Sequence, residues 1–426
     1  MKTTRRHFIK RAAAVVAIPT LIPRSVLALG QAVGANDKII VGFVGAGGRA
    51  KALMTHLPVN RVKMVALADC WLAKTRDCVR VMLEEGWITK ESDLNQYQSD
   101  REMYDKEKLD ASFVITQDFC RTLAGITAVR AGLDVYAEKS LTTYISEGRT
   151  LVDWVRKTNR IFQVGSQQRS MRLNRFGCEL IRSGKLGKVK LVQGINYPGP
   201  QPIPYDLPTE ECPSDFDWDA WQGPTRDRPF SMTLASWLPW WDYSGWELTN
   251  WGAHGLDMIQ CALQKDDTGP VELWPLDPNE PDVRVRKVAA KYADGLEVRF
   301  DLDQGPWGGG VFRCENGNLE INRNHLKANP ASIIAEEPEP DPPEGPDNIA
   351  GPHIDNFLDC MISRRQPRAD VEYGHRTASL CHLIGICREV NRKIKWDPIK
   401  EEIIGDAEAN AKVSRPRRKG YELPSV

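Results

Sequence analysis

Lys38-Ile39-Ile40-Val41-Gly42-Phe43-Val44-Gly45-Ala46-Gly47-Gly48-Arg49-Ala50 decides how the N-terminal half of this chain is read. A short, apolar, β-branched run stops at a cluster of glycines and passes into the helical stretch from Lys51 to His56. That order is strand, glycine turn, helix. Gly45 allows the tight turn, Gly47 lets backbone amides approach a pyrophosphate, and Ala50 keeps the helix close to the strand. A second apolar run, Val62 to Ala68, ends in Asp69, 24 residues after Gly45. A carboxylate there accepts both ribose hydroxyls of an adenosine and repels a 2′-phosphate. Cys70 and Trp71 follow it and bring no cation, so NAD is expected rather than NADP. The competing reading is an ordinary strand-helix unit whose Asp69 caps the next helix.

The alternation continues outward from that unit. Strands are predicted at Ala111 to Ile115, Asp134 to Ala137 and Ile161 to Val164, with helices at Leu72 to Glu85, Arg121 to Ala131 and Ser146 to Thr158. Five strands alternating with helices imply an α/β domain with a doubly wound parallel sheet, whose ligand lies beyond the carboxyl ends of the strands. Those ends bring together Gly45, Gly47, Gly48, Arg49, Asp69, Thr116, Gln117, Glu138, Lys139 and Gln167 as candidate cofactor contacts. Lys139, at a strand end in that crevice, is aimed at the cofactor.

Upstream, residues 1–28 read as an address. Arg5-Arg6, Phe8 two positions on, a weakly apolar run from Ala12 to Ile22 and Val26-Leu27-Ala28 follow the order of a twin-arginine signal peptide. The apolar run is too short to span a membrane. Export to the periplasm through the twin-arginine translocase is expected, with a cofactor loaded beforehand. The whole chain balances 57 basic against 57 acidic residues, but removing the six cations of this segment leaves a net charge of −6. An acidic mature chain without a basic block, apart from Arg415 to Lys419, argues against nucleic-acid binding. The ten cysteines sit singly within apolar segments and form no CxxC pair, so buried thiols are expected rather than disulfides or a zinc site.

The second half changes period. Val189 to Asn196 reads as a strand, Val283 to Tyr292 and Leu296 to Leu302 flank Asp294-Gly295, and Val311 to Glu315 and Asn318 to Ile321 flank Asn316-Gly317. Two such turns between alternating segments predict hairpins, hence an antiparallel sheet. Seven of the thirteen tryptophans fall between Trp218 and Trp251, more than a core of this size demands, and indole faces pack well on the C–H faces of sugar rings. The acidic, proline-rich stretch from Pro330 to Asn348 reads as a surface loop. Helices follow at His353 to Ser363 and Arg376 to Asn391, then a tail from Trp396 that could wrap a neighbouring subunit.

Gly45-Ala-Gly-Gly-Arg49, Tyr136-Ala-Glu-Lys-Ser140, Gln163-Val-Gly-Ser-Gln-Gln-Arg169, Trp251-Gly-Ala-His-Gly-Leu-Asp257 and Arg368-Ala-Asp-Val-Glu372 together resemble, in order and spacing, the Gfo/Idh/MocA-type oxidoreductases, and most nearly their exported bacterial branch. The resemblance implies a Rossmann domain, taken as residues 29–165, followed by an α+β domain on a large, open, mainly antiparallel sheet, residues 166–426. It also implies redox chemistry on sugar hydroxyls and a homo-oligomer. In the family the Lys of a Glu-Lys-Pro motif stands beside nicotinamide, and an Asp and a His four residues later complete the site.

Here those positions hold Lys139, Asn250 and His254, and Ser140 replaces the proline. Oxidising an alcohol needs a base for its proton and a group to steady the developing alkoxide. Asn250 does not titrate, so the proton goes through His254 or Lys139; Asn250 could equally be a helix N-cap. Asp257 either orients the His254 ring or faces solvent. Gln168, Arg169, Trp251 and Asp257 are candidate substrate contacts. Arg121 either clamps a substrate carboxylate or begins an exposed helix. No Glu/His/Asp cluster has metal-ligand spacing, so no metal is expected.

The expected function is hydride transfer between a sugar, glycoside or polyol hydroxyl and a tightly held NAD. Glycoside cleavage through transient oxidation, and sugar binding with NAD as a scaffold, are the alternatives.

Overall fold

The computed structural model describes residues 38–341 and 350–426, so the signal segment and residues 342–349 of the predicted loop lie outside the described residues. The N-terminal sheet has six parallel strands rather than five: β1 (Ile39–Val44), β2 (Val62–Ala68), β3 (Asn95–Tyr97), β4 (Ala111–Val114), β5 (Asp134–Ala137) and β6 (Phe162–Val164), in the order β3-β2-β1-β4-β5-β6. The added edge strand β3 is Asn-Gln-Tyr, three residues with no apolar run to betray it. The order reverses between β1 and β4, which opens the crevice where such sheets bind nucleotides. Phe43, Phe113 and Tyr136 stack across β1, β4 and β5 with centroids 4.6 and 5.2 Å apart. Phe357, from the distant helix Gly351–Ser363, meets Phe113 edge-on at 5.9 Å and closes that core.

The second sheet has nine strands and is mainly antiparallel. In chain order they are β7 (Val189–Ile195), β8 (Glu272–Pro275), β9 (Val288–Lys291), β10 (Glu297–Leu302), β11 (Gly310–Cys314), β12 (Gly317–Asn322), β13 (His325–Asn329), β14 (Ile394–Asp397) and β15 (Glu402–Ile403), arranged β13-β12-β11-β7-β10-β9-β8-β14-β15. β10 and β7 form a parallel pair. Both predicted hairpins are present, as β9-β10 and β11-β12. The strand expected from Val283 begins only at Val288, because Asp282 accepts from the Arg284 amide and turns the chain through a 3-10 segment first. Helices Arg172–Arg182, Gly252–Leu263 and Val371–Val390 bury one face of this sheet around Val192, Phe300, Phe312, Leu256 and Ile384.

Two segments fasten the halves together. The stretch between β7 and the Gly252–Leu263 helix docks on the end of β2: the Leu72 amide donates to Asp215 O at 3.0 Å, the Asp217 amide to Cys70 O at 2.8 Å, and Trp71 stacks on Phe216 at 4.7 Å. The C-terminal tail packs against its own chain. Arg415 and Arg417 meet the buried Glu147, Arg418 pairs with Asp219 at 2.6 Å, and Trp154 Nε1 donates to Pro424 O at 3.2 Å. All ten cysteines are free thiols, six buried and four half-buried. No helix among the described residues is long and apolar enough to cross a membrane.

Candidate active site

The carboxyl ends of β1, β2, β4 and β5 open into a cavity of about 1190 Å³ that continues beneath the second domain. At its floor the chain turns through Gly45 at φ +92°, where a side-chain carbon would lie 2.5 Å from Ile115 O. Any other residue is therefore excluded twice over, by conformation and by contact. A carbon added at Gly47 or Gly48 meets nothing within 4 Å, so the turn keeps an open face at the start of helix Gly48–Met54. This cradle, with a carboxylate beside it, fits a dinucleotide. Asp69 accepts from the Ala46 amide at 2.8 Å and the Trp71 amide at 2.9 Å, and burial pushes its carboxyl up against those bonds. The expectation that no cation stands near Asp69 needs correction: Lys74, stacked over Trp71 at 4.9 Å, and Arg101 line the same cavity. Both come from the helix turns that follow β2 and β3, out of sight of a reading that stopped at Trp71.

Arg49 Nε pairs with the buried Glu138 at 2.9 Å, bridging the glycine turn to the end of β5. The next residue, Lys139, reaches across to the second domain. Its Nζ donates to Asn250 Oδ1 at 2.6 Å and to Asn250 O at 3.2 Å. Asn250 Nδ2 in turn donates to Glu247 Oε2 at 3.2 Å. The amide is thereby oriented by charge at both ends, and the chain runs ammonium, amide, carboxylate. The segment carrying Lys139 is fastened despite Ser140 replacing proline, because Ser140 Oγ donates to Thr249 O and Arg121 donates to Ser140 O. Arg121 does not begin an exposed helix. It is buried at the cavity wall, paired with Asp118 at 2.8 Å and bonded to Thr116 O, so it holds two strand-end loops while its Nε has no partner.

His254 stands in the first turns of helix Gly252–Leu263, 4% exposed, with Nδ1 lacking any hydrogen-bond partner. Burial, then Lys139 and Arg323, hold its pKa well below the ordinary histidine value, so the ring is neutral and able to accept a proton. Lys139 is likewise lowered by burial, with Glu138 and Asp118 opposing. Trp251 meets the His254 ring at 5.9 Å and carries Arg323 over its face at 4.4 Å.

Gly45, Gly47, Gly48, Arg49, Asp69, Thr116, Gln117, Glu138, Lys139, Gln167, Asn250, Trp251 and His254 all line this one cavity. Gln168, Arg169 and Asp257 differ from expectation. Arg169 is buried and donates to Asp257 at 2.8 Å and Asp266 at 2.6 Å, Thr377 adds a bond to Asp257, and none of the three reaches the cavity. Asp257 therefore neither orients His254 nor faces solvent. Gln168 supports the site from behind, donating to Gly308 O at 2.6 Å and accepting from Arg323 Nε at 3.1 Å. Two residues escaped the sequence reading. Glu247 was visible as the acid three places before Asn250, one helical turn away. Arg323 sits in the β12-β13 turn, and nothing in its local sequence ties it to Trp251. No group of histidine, cysteine or acidic side chains able to hold a metal occurs among the described residues.

Two family models cover this architecture: an oxidoreductase family NAD-binding Rossmann fold over residues 39–166, and an oxidoreductase family C-terminal alpha/beta domain over residues 193–423. The chain belongs to the Gfo/Idh/MocA oxidoreductase family. Its fold is shared with solved structures at low identity. Myo-inositol 2-dehydrogenase from Lactobacillus plantarum is 16% identical with a TM-score of 0.57, over 84% of this chain and 99% of that one. Aldose-aldose oxidoreductase from Caulobacter crescentus, complexed with glycerol, is 17% identical with a TM-score of 0.57, over 84% and 99%. The WlbA dehydrogenase from Bordetella pertussis, in complex with NADH and UDP-GlcNAcA, is 16% identical with a TM-score of 0.58, over 84% and 99%. Within this family the resemblance drawn from the motifs holds, and the Rossmann domain is its NAD-binding one.

Proposed function

We propose that this chain is an exported, NAD-dependent oxidoreductase acting on a hydroxyl of a sugar, glycoside or polyol. The observation that carries the reading is the meeting of Lys139, Asn250 and His254 in the cavity whose floor is the Gly45 turn and whose far end holds Asp69. Solved relatives of the same fold include an inositol dehydrogenase and an aldose-aldose oxidoreductase, which favours this substrate class. A bound nicotinamide dinucleotide supplies the hydride acceptor. The chain's own residues manage the proton. His254, kept neutral by burial, takes the hydroxyl proton, and Lys139, held by Asn250 Oδ1, steadies the substrate oxygen as charge develops on it. Trp251, with Arg323 over one face, lines the wall against which the apolar side of a sugar ring would lie. Asp69 favours the unphosphorylated ribose, against the pull of Lys74 and Arg101.

The test is a panel of free sugars, polyols and glycosides, scored for reduced nicotinamide by absorbance and for products by mass spectrometry, with the dinucleotide extracted from purified protein identified alongside. Net oxidised sugar with extracted NAD is expected, and Asp69→Ala should lose the NAD. Released aglycone without net reduction would replace the reading with glycoside cleavage. A dinucleotide that no substrate reduces would leave a binding protein, and extracted NADP would overturn the cofactor preference.

A further inference from the structure

Behind the Arg169 ion pairs lies a second, smaller cavity, of about 310 Å³, whose lining includes Cys178 and Cys261. Cys178 is buried on helix Arg172–Arg182, and Cys261 is half-buried on helix Gly252–Leu263, which packs against it. Cys178 Sγ lies 4.0 Å from the carbonyl oxygen of Met258, one helical turn before Cys261, so the two thiols meet at one wall of the cavity. Arg182 Nη2 donates to Cys261 Sγ at 2.9 Å, and its Nε donates to the Cys261 carbonyl at 2.9 Å. The second contact pins the guanidinium against the sulfur. Its charge, with that of Arg169 deeper in the wall, favours a thiolate at Cys261. The neighbouring Cys178 thiol, with Arg169 and Arg182, holds the Cys261 thiol down against the effect of burial, while the neighbouring Cys261 and burial push Cys178 up. One sulfur is thus prepared to attack while its neighbour keeps its proton.

We propose that Cys261 and Cys178 form a redox-active dithiol that exchanges with low-molecular-weight disulfides entering this cavity, Cys261 attacking and Cys178 resolving. The Cys261 thiolate bonds to one sulfur of the incoming disulfide, whose S–S bond breaks, and the departing half takes up the proton that Cys261 has released. Cys178 then loses its proton and bonds to the Cys261 sulfur, expelling the second half as a thiol. The protein dithiol is oxidised by two electrons and the incoming disulfide is reduced to two thiols. The sulfurs must close to about 2.05 Å, which ties the two helices covalently. His254 lies about two turns before Cys261 on the same helix, so the cross-link fixes the seat of the candidate base. The chemistry is independent of which substrate the main cavity takes.

Full-length protein treated with oxidised glutathione, then alkylated with iodoacetamide and mapped by peptide mass spectrometry, tests it. The expected result is one cross-linked Cys178–Cys261 peptide pair, lighter by about 2 Da than the reduced pair and restored by dithiothreitol. Cys178→Ser should instead collect glutathione on Cys261, and Cys261→Ser should give neither product at Cys178. In untreated wild type, Cys261 should alkylate at least about 10-fold faster than the buried Cys381, a comparison that needs no variant to fold. Full alkylation of both cysteines after oxidation, or equal rates at Cys261 and Cys381, would overturn the proposal.

Discussion

Replacing Asn250 by aspartate puts a carboxylate between a cation and an acid that the amide now separates. The new oxygens would take the positions of Oδ1, 2.6 Å from Lys139 Nζ, and Nδ2, 3.2 Å from Glu247 Oε2. At an effective dielectric of about 20 the attraction to Lys139 comes to about 6 kcal/mol and the repulsion from Glu247 to about 5 kcal/mol. The two nearly cancel, so the new carboxyl gains almost nothing by ionising and keeps its proton, and N250D alone should move the site's titration little. Adding E247Q removes the repulsion and leaves the attraction. Lys139 and His254, both held down by burial, should then rise by about 1 to 3 pKa units. The group acting as base must lose its proton before it works, so the rising limb of kcat/KM against pH should shift upward by that amount. E247Q alone, which only removes negative charge, should shift the limb downward. The assay is the pH profile of the four proteins on one substrate from the panel. If N250D and N250D/E247Q superimpose within about 0.3 unit, Glu247 is not coupled to Lys139 through Asn250 and the chain of three groups is wrong.

Three further outcomes are expected. His254→Ala should lower turnover roughly 10²- to 10⁴-fold while the extracted dinucleotide content stays that of wild type; a rate within about threefold of wild type would remove His254 from proton transfer. Replacing Arg5-Arg6 with two lysines should strand the precursor in the cytoplasm, as fractionation would reveal, whereas normal export would refute the address read in residues 1–28. Glu401 is half-buried, but hydrogen bonds from His375 and Arg149 overcome that and hold its carboxyl down to about 2. A depressed carboxylate stabilises the fold above its unfolded pKa, about 4.5, and that support is lost as pH falls towards about 2. The gap in urea midpoint between wild type and Glu401→Gln should therefore be wide near neutrality and narrow through that window; a gap independent of pH would deny the linkage.

The parallel sheet was legible because each of its main strands is a run of apolar residues ending in a residue with chemistry, and the hairpins because Asp294-Gly295 and Asn316-Gly317 leave the backbone little choice. Edge strands such as β3 were not, since pairing on one side asks little of Asn95-Gln96-Tyr97. Lys139, Asn250 and His254 could be placed from motif spacing and topology. The partnership of Asn250 with Glu247 could be suspected from their helical spacing, but the burial of Arg169 against Asp257 and Asp266 could not. Arginines look alike in sequence whether they bind a substrate or neutralise an interior carboxylate, and only the acids that fold against them decide. Arg121 teaches the same lesson at the end of β4, and Arg323 the converse, reaching the cavity from a hairpin more than a hundred residues beyond the glycine turn.

The seam at Asp215–Asp217, which grips Cys70 and Leu72 beside the ribose carboxylate, makes the dinucleotide a thermodynamic partner of both sheets. A ligand that binds only the folded chain stabilises it by RT ln(1 + [L]/Kd), about 4 kcal/mol at a thousandfold excess over Kd. Because the seam belongs to a segment anchored at β7 on one side and helix Gly252–Leu263 on the other, that free energy reaches strands the ligand never touches. Loading the cofactor would then raise the melting temperature of both sheets as a single transition.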